Sequence, residues 1–169
     1  MEHLSIYSYS SQETIDFAKR IAKFLKKGDV LGFFGDLGSG KTTFIKGLAE
    51  GLGLKTKINS PSFVVLKIYS LKNKLPKHSL LFYHFDLYRL KSLKELEDIG
   101  YQDFIYNYGI CVIEWADKAK TLLPEQYLKI KIQLEKDDAR AINLEGHGER
   151  YDNFISDIKA KIKPKNKIN

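Results

Sequence analysis

Gly35-Asp36-Leu37-Gly38-Ser39-Gly40-Lys41-Thr42-Thr43 is the stretch on which the reading of this chain turns. It matches the spacing G-x-x-x-x-G-K-[ST]. Glycines at this density let successive backbone amides point into one concavity without Cβ clashes. A helix starting near Lys41 would add the positive end of its dipole, so an anion is favoured there. The ammonium of Lys41 suits the β- and γ-phosphates of a nucleoside triphosphate, and the Thr42 hydroxyl suits a magnesium ion. All nine residues are therefore candidate nucleotide contacts.

The pattern has force only between a strand and a helix, and both flanks supply that context. Residues 29–34 form a short, almost wholly apolar run, as expected of a strand buried on both faces. Residues 41–50 read as a helix closed by Gly51 and Gly53. Upstream, residues 4–9 alternate like a strand. Ser10 and Glu13 then form a capping box for a helix whose apolar face is Ile15, Ala18, Ile21, Ala22 and Leu25. Downstream, residues 62–70 are strand-like and residues 71–79 a polar turn. Residues 80–85 and 109–113 are two more buried strands, with a helix over 93–108 interrupted at Gly100. Residues 127–134 and 140–144 alternate around Lys136-Asp137-Asp138, which predicts an antiparallel hairpin near the C-terminus. An amphipathic helix over 149–162 closes the pattern. Buried strands mixed with helices predict an α/β, P-loop NTPase-like sandwich with a mainly parallel central sheet.

At 169 residues and 19.5 kDa the chain fits one domain. We place that domain at residues 1–158, followed by a basic tail over 159–169. The net charge of +7 is unevenly spread. The tail carries five lysines and no acid. Residues 46–77 carry seven lysines against Glu50, whereas residues 86–117 carry seven acids against Arg89, Lys91 and Lys94. Only four cations are arginine (Arg20, Arg89, Arg140, Arg150), and arginine forks dominate nucleic-acid clamps. The basic stretches therefore read as solvation or as docking surface for a partner or an RNA. The single cysteine, Cys111, excludes an internal disulfide and sits in the apolar run of residues 109–113 as a small core residue. No apolar run approaches 18 residues and no secretory signal is visible, so a cytoplasmic setting with no membrane partner is expected.

A triphosphate site also needs an acid at the end of a neighbouring buried strand. Asp86 and Glu114 both end such strands, and ligands of open α/β sheets lie off the carboxyl ends. One can hold magnesium and the other can orient the attacking water or couple hydrolysis to a moving segment; the residues alone leave the assignment open. Ser60-Pro61-Ser62-Phe63 lies where phosphate-loop proteins place a switch segment that senses the γ-phosphate. Trp115, the only Trp, is either core or an interaction anchor. No N-K-x-D guanine motif occurs, which makes ATP the expected nucleotide. Four scattered arginines do not make the phosphate-clamping lid of a small-molecule kinase. A stand-alone phosphotransferase and an RNA-binding module remain as alternatives to an ATPase acting on a partner.

Read together, Gly35 to Thr43, Ser60-Pro61-Ser62-Phe63, His84-Phe85-Asp86-Leu87-Tyr88-Arg89-Leu90, Glu97-Asp98-Ile99-Gly100 and Val112-Ile113-Glu114-Trp115 occur in an order that resembles the TsaE (YjeE) family. These are bacterial ATPases of tRNA threonylcarbamoyladenosine synthesis. The resemblance covers roughly residues 5 to 145. It implies binding of ATP and Mg²⁺, weak intrinsic hydrolysis that rises in a complex with TsaD-like and TsaB-like subunits, and contact with tRNA through that complex. Carried over by position, it implies Thr42 and Glu114 as magnesium ligands, Lys41, Asp86 and Glu114 as the catalytic set, and Trp115 beside the nucleotide. Residues 60–63 resemble the switch segment. Family members commonly have Thr where this chain has Ser62, and often Pro where it has Ala116.

Overall fold

In the computed structural model, residues 1–55, 58, 65–71, 80–107 and 109–162 are described. Strand β2 (Val30–Phe34) is the centre of the architecture, and all five of its residues are buried. It pairs in parallel with β5 (Ile110–Glu114) on one side and β6 (Tyr127–Leu134) on the other. Outside β5 lies β4 (Leu80–Asp86), also parallel, and then β3 (Leu66–Leu71), antiparallel. Outside β6 lies β7 (Arg140–His147), antiparallel, and then β1 (His3–Ser8), antiparallel to β7. The seven-stranded order is β1-β7-β6-β2-β5-β4-β3. The four central strands are parallel and the antiparallel pairings are confined to the flanks. The expected C-terminal hairpin exists as β6–β7, and its second strand runs to His147, beyond the expected residue 144.

Helices cover both faces, which is why the central strands read as continuous apolar runs. Side chains alternate across a strand with period two. Leu31, Phe33, Phe82, Ile110 and Val112 face one core together with Phe17, Phe44, Phe154 and Ile155. These last four belong to α1 (Ser11–Ala22), α2 (Lys41–Gly51) and α5 (Glu149–Lys161). Val30, Phe34, Tyr83, Phe85, Cys111 and Ile113 face a second core, closed by Leu96, Tyr101 and Ile105. Cys111 is buried as expected, and burial pushes its thiol pKa up.

Helix α1 begins as its sequence dictates. The Ser10 hydroxyl accepts from the Glu13 amide at 3.1 Å, and the Glu13 carboxylate accepts from the Tyr9 amide at 2.9 Å. Helices α1 and α2 lie very close. A Cβ built on Gly47 would meet the Ile15 carbonyl oxygen at 2.6 Å and Ala18 Cβ at 2.7 Å. The glycine is there because the neighbouring backbone leaves no room for a side chain, although it weakens the helix.

The expected interruption at Gly100 is present, and it divides the stretch over 93–108 into two single-turn helices, α3 (Lys94–Asp98) and α4 (Tyr101–Ile105). Gly100 between them has φ +69°, which an α-helix cannot contain. Helix α5 runs through Lys159, whose ammonium sits 2.5 Å from Glu2 Oε2, to Lys161; the remainder of the basic tail, residues 163–169, lies outside the described residues. So do the expected switch residues Ser60, Pro61, Ser62 and Phe63 and most of the expected turn over 71–79. Among the described residues, no helix is long and apolar enough to cross a membrane.

Candidate functional site

The loop between β2 and α2 holds the geometry its glycines suggested. Gly35, Gly38 and Gly40 have φ of +133°, +80° and +108°. At Gly35 the demand is also steric, since a Cβ would lie 2.1 Å from the Ile132 carbonyl oxygen. The loop is thus pressed against β6 and leads directly into α2. Gly40 is the N-cap of that helix and offers no side-chain cap, which leaves the first helical amides for another acceptor.

Lys41 is nearly buried. Its Nζ donates to the carbonyl oxygens of Gly35 at 2.7 Å and Asp36 at 2.8 Å, and lies 3.9 Å from the centre of the Trp115 ring. Burial lowers the Lys41 pKa, and the charges of Glu114, Asp117, Asp36 and Asp86 oppose that effect. A cation held this way, without an ion pair among the described residues, has its carboxylates near but not touching.

The two strand-end acids meet at the same place. Asp86 and Glu114 are register partners on β4 and β5. Counting back by twos, Asp86, His84 and Phe82 share one face of β4, and Glu114, Val112 and Ile110 share the same face of β5. That face packs against α2. Glu114 is buried, and its carboxylate accepts from the Thr42 hydroxyl at 2.8 Å through Oε2 and 3.1 Å through Oε1. Glu114 Oε1 also lies 2.8 Å from Nε2 of the fully buried His84. His84 Nδ1 has no hydrogen-bond partner among the described residues. Asp86 Oδ1 accepts from the Tyr88 amide at 3.0 Å, which fixes the turn leaving β4.

Trp115 follows Glu114 with φ +60° and ψ +42°, a left-handed conformation that costs a bulky residue about 1–3 kcal/mol. The conformation turns the chain sharply after β5 into a 3₁₀ stretch, Ala116–Leu122, and lays the indole between Lys41 and Tyr88. The ring centres of Trp115 and Tyr88 are 5.0 Å apart. Lys118 donates to the Tyr88 carbonyl, and its ammonium lies 5.7 Å from the Tyr88 ring centre.

The structure therefore brings together Lys41, Thr42, Asp86, Glu114 and Trp115, all singled out in the sequence. It adds His84, which in the sequence is only one residue of the motif over 84–90. The missed signal was parity: a polar residue two before Asp86, on the face that both acids share. Arg140, one of the four scattered arginines, also comes to this loop. Its guanidinium flanks the loop, 3.2 Å from where a Gly40 Cβ would sit.

Thr42 hydroxyl and Glu114 carboxylate are hard oxygen donors in contact at the mouth of an anion-favouring loop. That donor set fits a magnesium ion bound with a triphosphate.

A family model described as Threonylcarbamoyl adenosine biosynthesis protein TsaE matches residues 8–142. The tRNA threonylcarbamoyladenosine biosynthesis protein TsaE of Bacillus subtilis is 40% identical over 158 residues, covering 94% of this chain and 95% of the relative. The protein of the same name from Treponema pallidum is 39% identical over 137 residues, covering 81% and 96%. That from Haemophilus influenzae is 35% identical over 161 residues, covering 92% and 98%. The crystal structure of Bacillus subtilis YdiB superposes with a TM-score of 0.78 at 36% identity, covering 96% of this chain and 97% of that one.

Proposed function

The chain belongs to the TsaE family, and from that premise we propose that it is a Mg-ATP hydrolase supporting threonylcarbamoyladenosine modification of tRNA. The relatives are named for tRNA threonylcarbamoyladenosine biosynthesis, and the matches cover 81% to 94% of this chain. In this reading it acts in the cytoplasm, in a complex with TsaD-like and TsaB-like subunits, and meets tRNA through that complex. The observation that carries the proposal is the contact of Thr42, next to Lys41 in the first turn of α2, with the buried Glu114–His84 pair.

Each residue has a definable task. The amides at the start of α2 and the loop of residues 35–43 receive the phosphates. The Lys41 ammonium exchanges its two carbonyl acceptors and the indole face for phosphate oxygens, so its desolvation is offset by an opposite charge. Thr42 and Glu114 would hold magnesium, which when bound neutralises charge on the β- and γ-phosphates. His84 holds one Glu114 oxygen and so fixes the carboxylate's orientation. Asp86, one strand away in register, is placed to orient water or to pass the state of the site into the Tyr88 turn. The indole of Trp115 shields Lys41.

The direct test is calorimetric titration with Mg-ATP and a phosphate-release assay, alone and with the TsaD-like and TsaB-like subunits. Wild type should bind ATP, hydrolyse it slowly and speed up with the subunits. Lys41→Ala should do none of these. Undiminished turnover by Lys41→Ala would refute the assignment.

A further inference from the structure

Resting on the ATP reading above, we infer that Arg140 is a second phosphate-binding cation of this site, reaching the nucleotide from the β6–β7 hairpin. In the sequence Arg140 is one of four scattered arginines. The fold brings it a hundred residues back along the chain to the loop, where its Nε and Cδ flank Gly40 at 3.2 and 3.3 Å from the position of a Cβ.

Three observations converge on an anion. The first is that Arg140 has no carboxylate within ion-pair distance among the described residues. Its Nε is buried without a hydrogen-bond partner, and a buried guanidinium nitrogen left unpaired is costly. The second is position. The guanidinium sits beside the N-cap of the eleven-residue helix α2, where a cation is electrostatically unfavourable unless an anion is shared. The third is Ser39, within the same loop. The residue is 2% exposed and its hydroxyl also lacks a partner among the described residues. Two unsatisfied polar atoms thus lie against one short loop, Arg140 Nε beside Gly40 and Ser39 Oγ 3.0 Å from where a Gly35 Cβ would sit.

The hairpin holds the side chain in place. Asp137 and Asp138 both have left-handed backbones (φ +55° and +56°), and the Asp138 carbonyl accepts from Arg140 Nη1 at 2.7 Å. That leaves Nε and Nη2 for a ligand, and a guanidinium presents them as a planar fork matched to phosphate. The ligand class is the polyphosphate of a nucleoside di- or triphosphate.

Arg140→Gln keeps length and polarity without charge, and Arg140→Lys keeps charge without the fork. Calorimetric titration with Mg-ATP and with inorganic tripolyphosphate reads the contact. Arg140→Gln should weaken both by the same factor, about 10- to 100-fold, the range of one charge-assisted hydrogen bond. Arg140→Lys should recover part of that loss, and the unfolding midpoint of each variant should stay within about 3 °C of wild type, close to one kcal/mol at this size. The inference is overturned if Arg140→Gln binds ATP as wild type does, or loses ATP but not tripolyphosphate. If wild type itself binds neither ligand, the ATPase reading fails instead.

Discussion

Replacing Glu114 separates the fold of this site from its chemistry. In Glu114→Ala the buried His84 loses its Nε2 partner and the Thr42 hydroxyl loses its acceptor. An orphaned buried polar group costs about 1–3 kcal/mol, and His84 is fully buried. Thr42 can turn towards water and costs less. The void left by the side chain adds roughly one kcal/mol more, partly offset because a buried carboxylate no longer has to be desolvated. The sum is a destabilisation of about 3 kcal/mol, or roughly 6–12 °C in the unfolding midpoint for a chain of this size. Glu114→Gln keeps the shape and offers an oxygen to Thr42 and an amide to His84, so its midpoint should fall by less than about 3 °C. Both variants should lose ATP hydrolysis, because neither brings a carboxylate to the Thr42 hydroxyl. Thermal unfolding by circular dichroism and phosphate release under saturating Mg-ATP read the two effects. A Glu114→Ala protein as stable as wild type would refute the Thr42–Glu114–His84 chain. A Glu114→Gln protein that hydrolyses ATP normally would refute its role.

Three further outcomes are expected. Trp115 is the only Trp, and its ring carries the Lys41 ammonium at 3.9 Å; adding Mg-ATP should change its fluorescence in wild type and leave it unchanged in Lys41→Met. Burial lowers the Lys41 pKa from its ordinary 10.5. Between the lowered value and 10.5 the unfolded state therefore binds more protons, so nucleotide-free stability gains from this group as pH rises. ATP affinity moves the opposite way, falling through the same alkaline window as the ammonium is lost, and calorimetry in buffers of different ionisation enthalpy should detect proton uptake on binding. Gly47→Ala should destabilise the protein by about 1–3 kcal/mol in chemical denaturation despite alanine's better helix propensity, because its Cβ meets the Ile15 carbonyl at 2.6 Å; a stabilised variant would contradict the close α1–α2 packing.

Much of this site was legible in the sequence because its demands fall on local backbone. Positive φ at Gly35, Gly38 and Gly40 needs glycine, and Lys41-Thr42 must follow where the helix begins. Asp86 and Glu114 were legible because each interrupts an apolar run at its end. His84 was hidden inside such a run, where one buried imidazole looks like core until strand parity and the β4–β5 register place it against Glu114. Arg140 was hidden for a different reason, since its approach to Gly40 depends on β6 joining the sheet beside β2. Nothing in the spacing of two segments a hundred residues apart encodes that. The break at Gly100 was visible, but its consequence, two single-turn helices in place of one interrupted helix, depended on the left-handed backbone there. The left-handed Trp115 had no sequence signal, because the surroundings rather than the residue impose it.

The most direct measurement is multi-turnover formation of threonylcarbamoyladenosine on tRNA by TsaD-like and TsaB-like subunits supplied with threonylcarbamoyl-adenylate and Mg-ATP. Adding this chain should raise the number of turnovers well above one per complex, and the Lys41→Ala and Glu114→Ala variants should leave it near one. Variants that sustain turnover as wild type does would contradict the claim that ATP chemistry at this loop supports the modification.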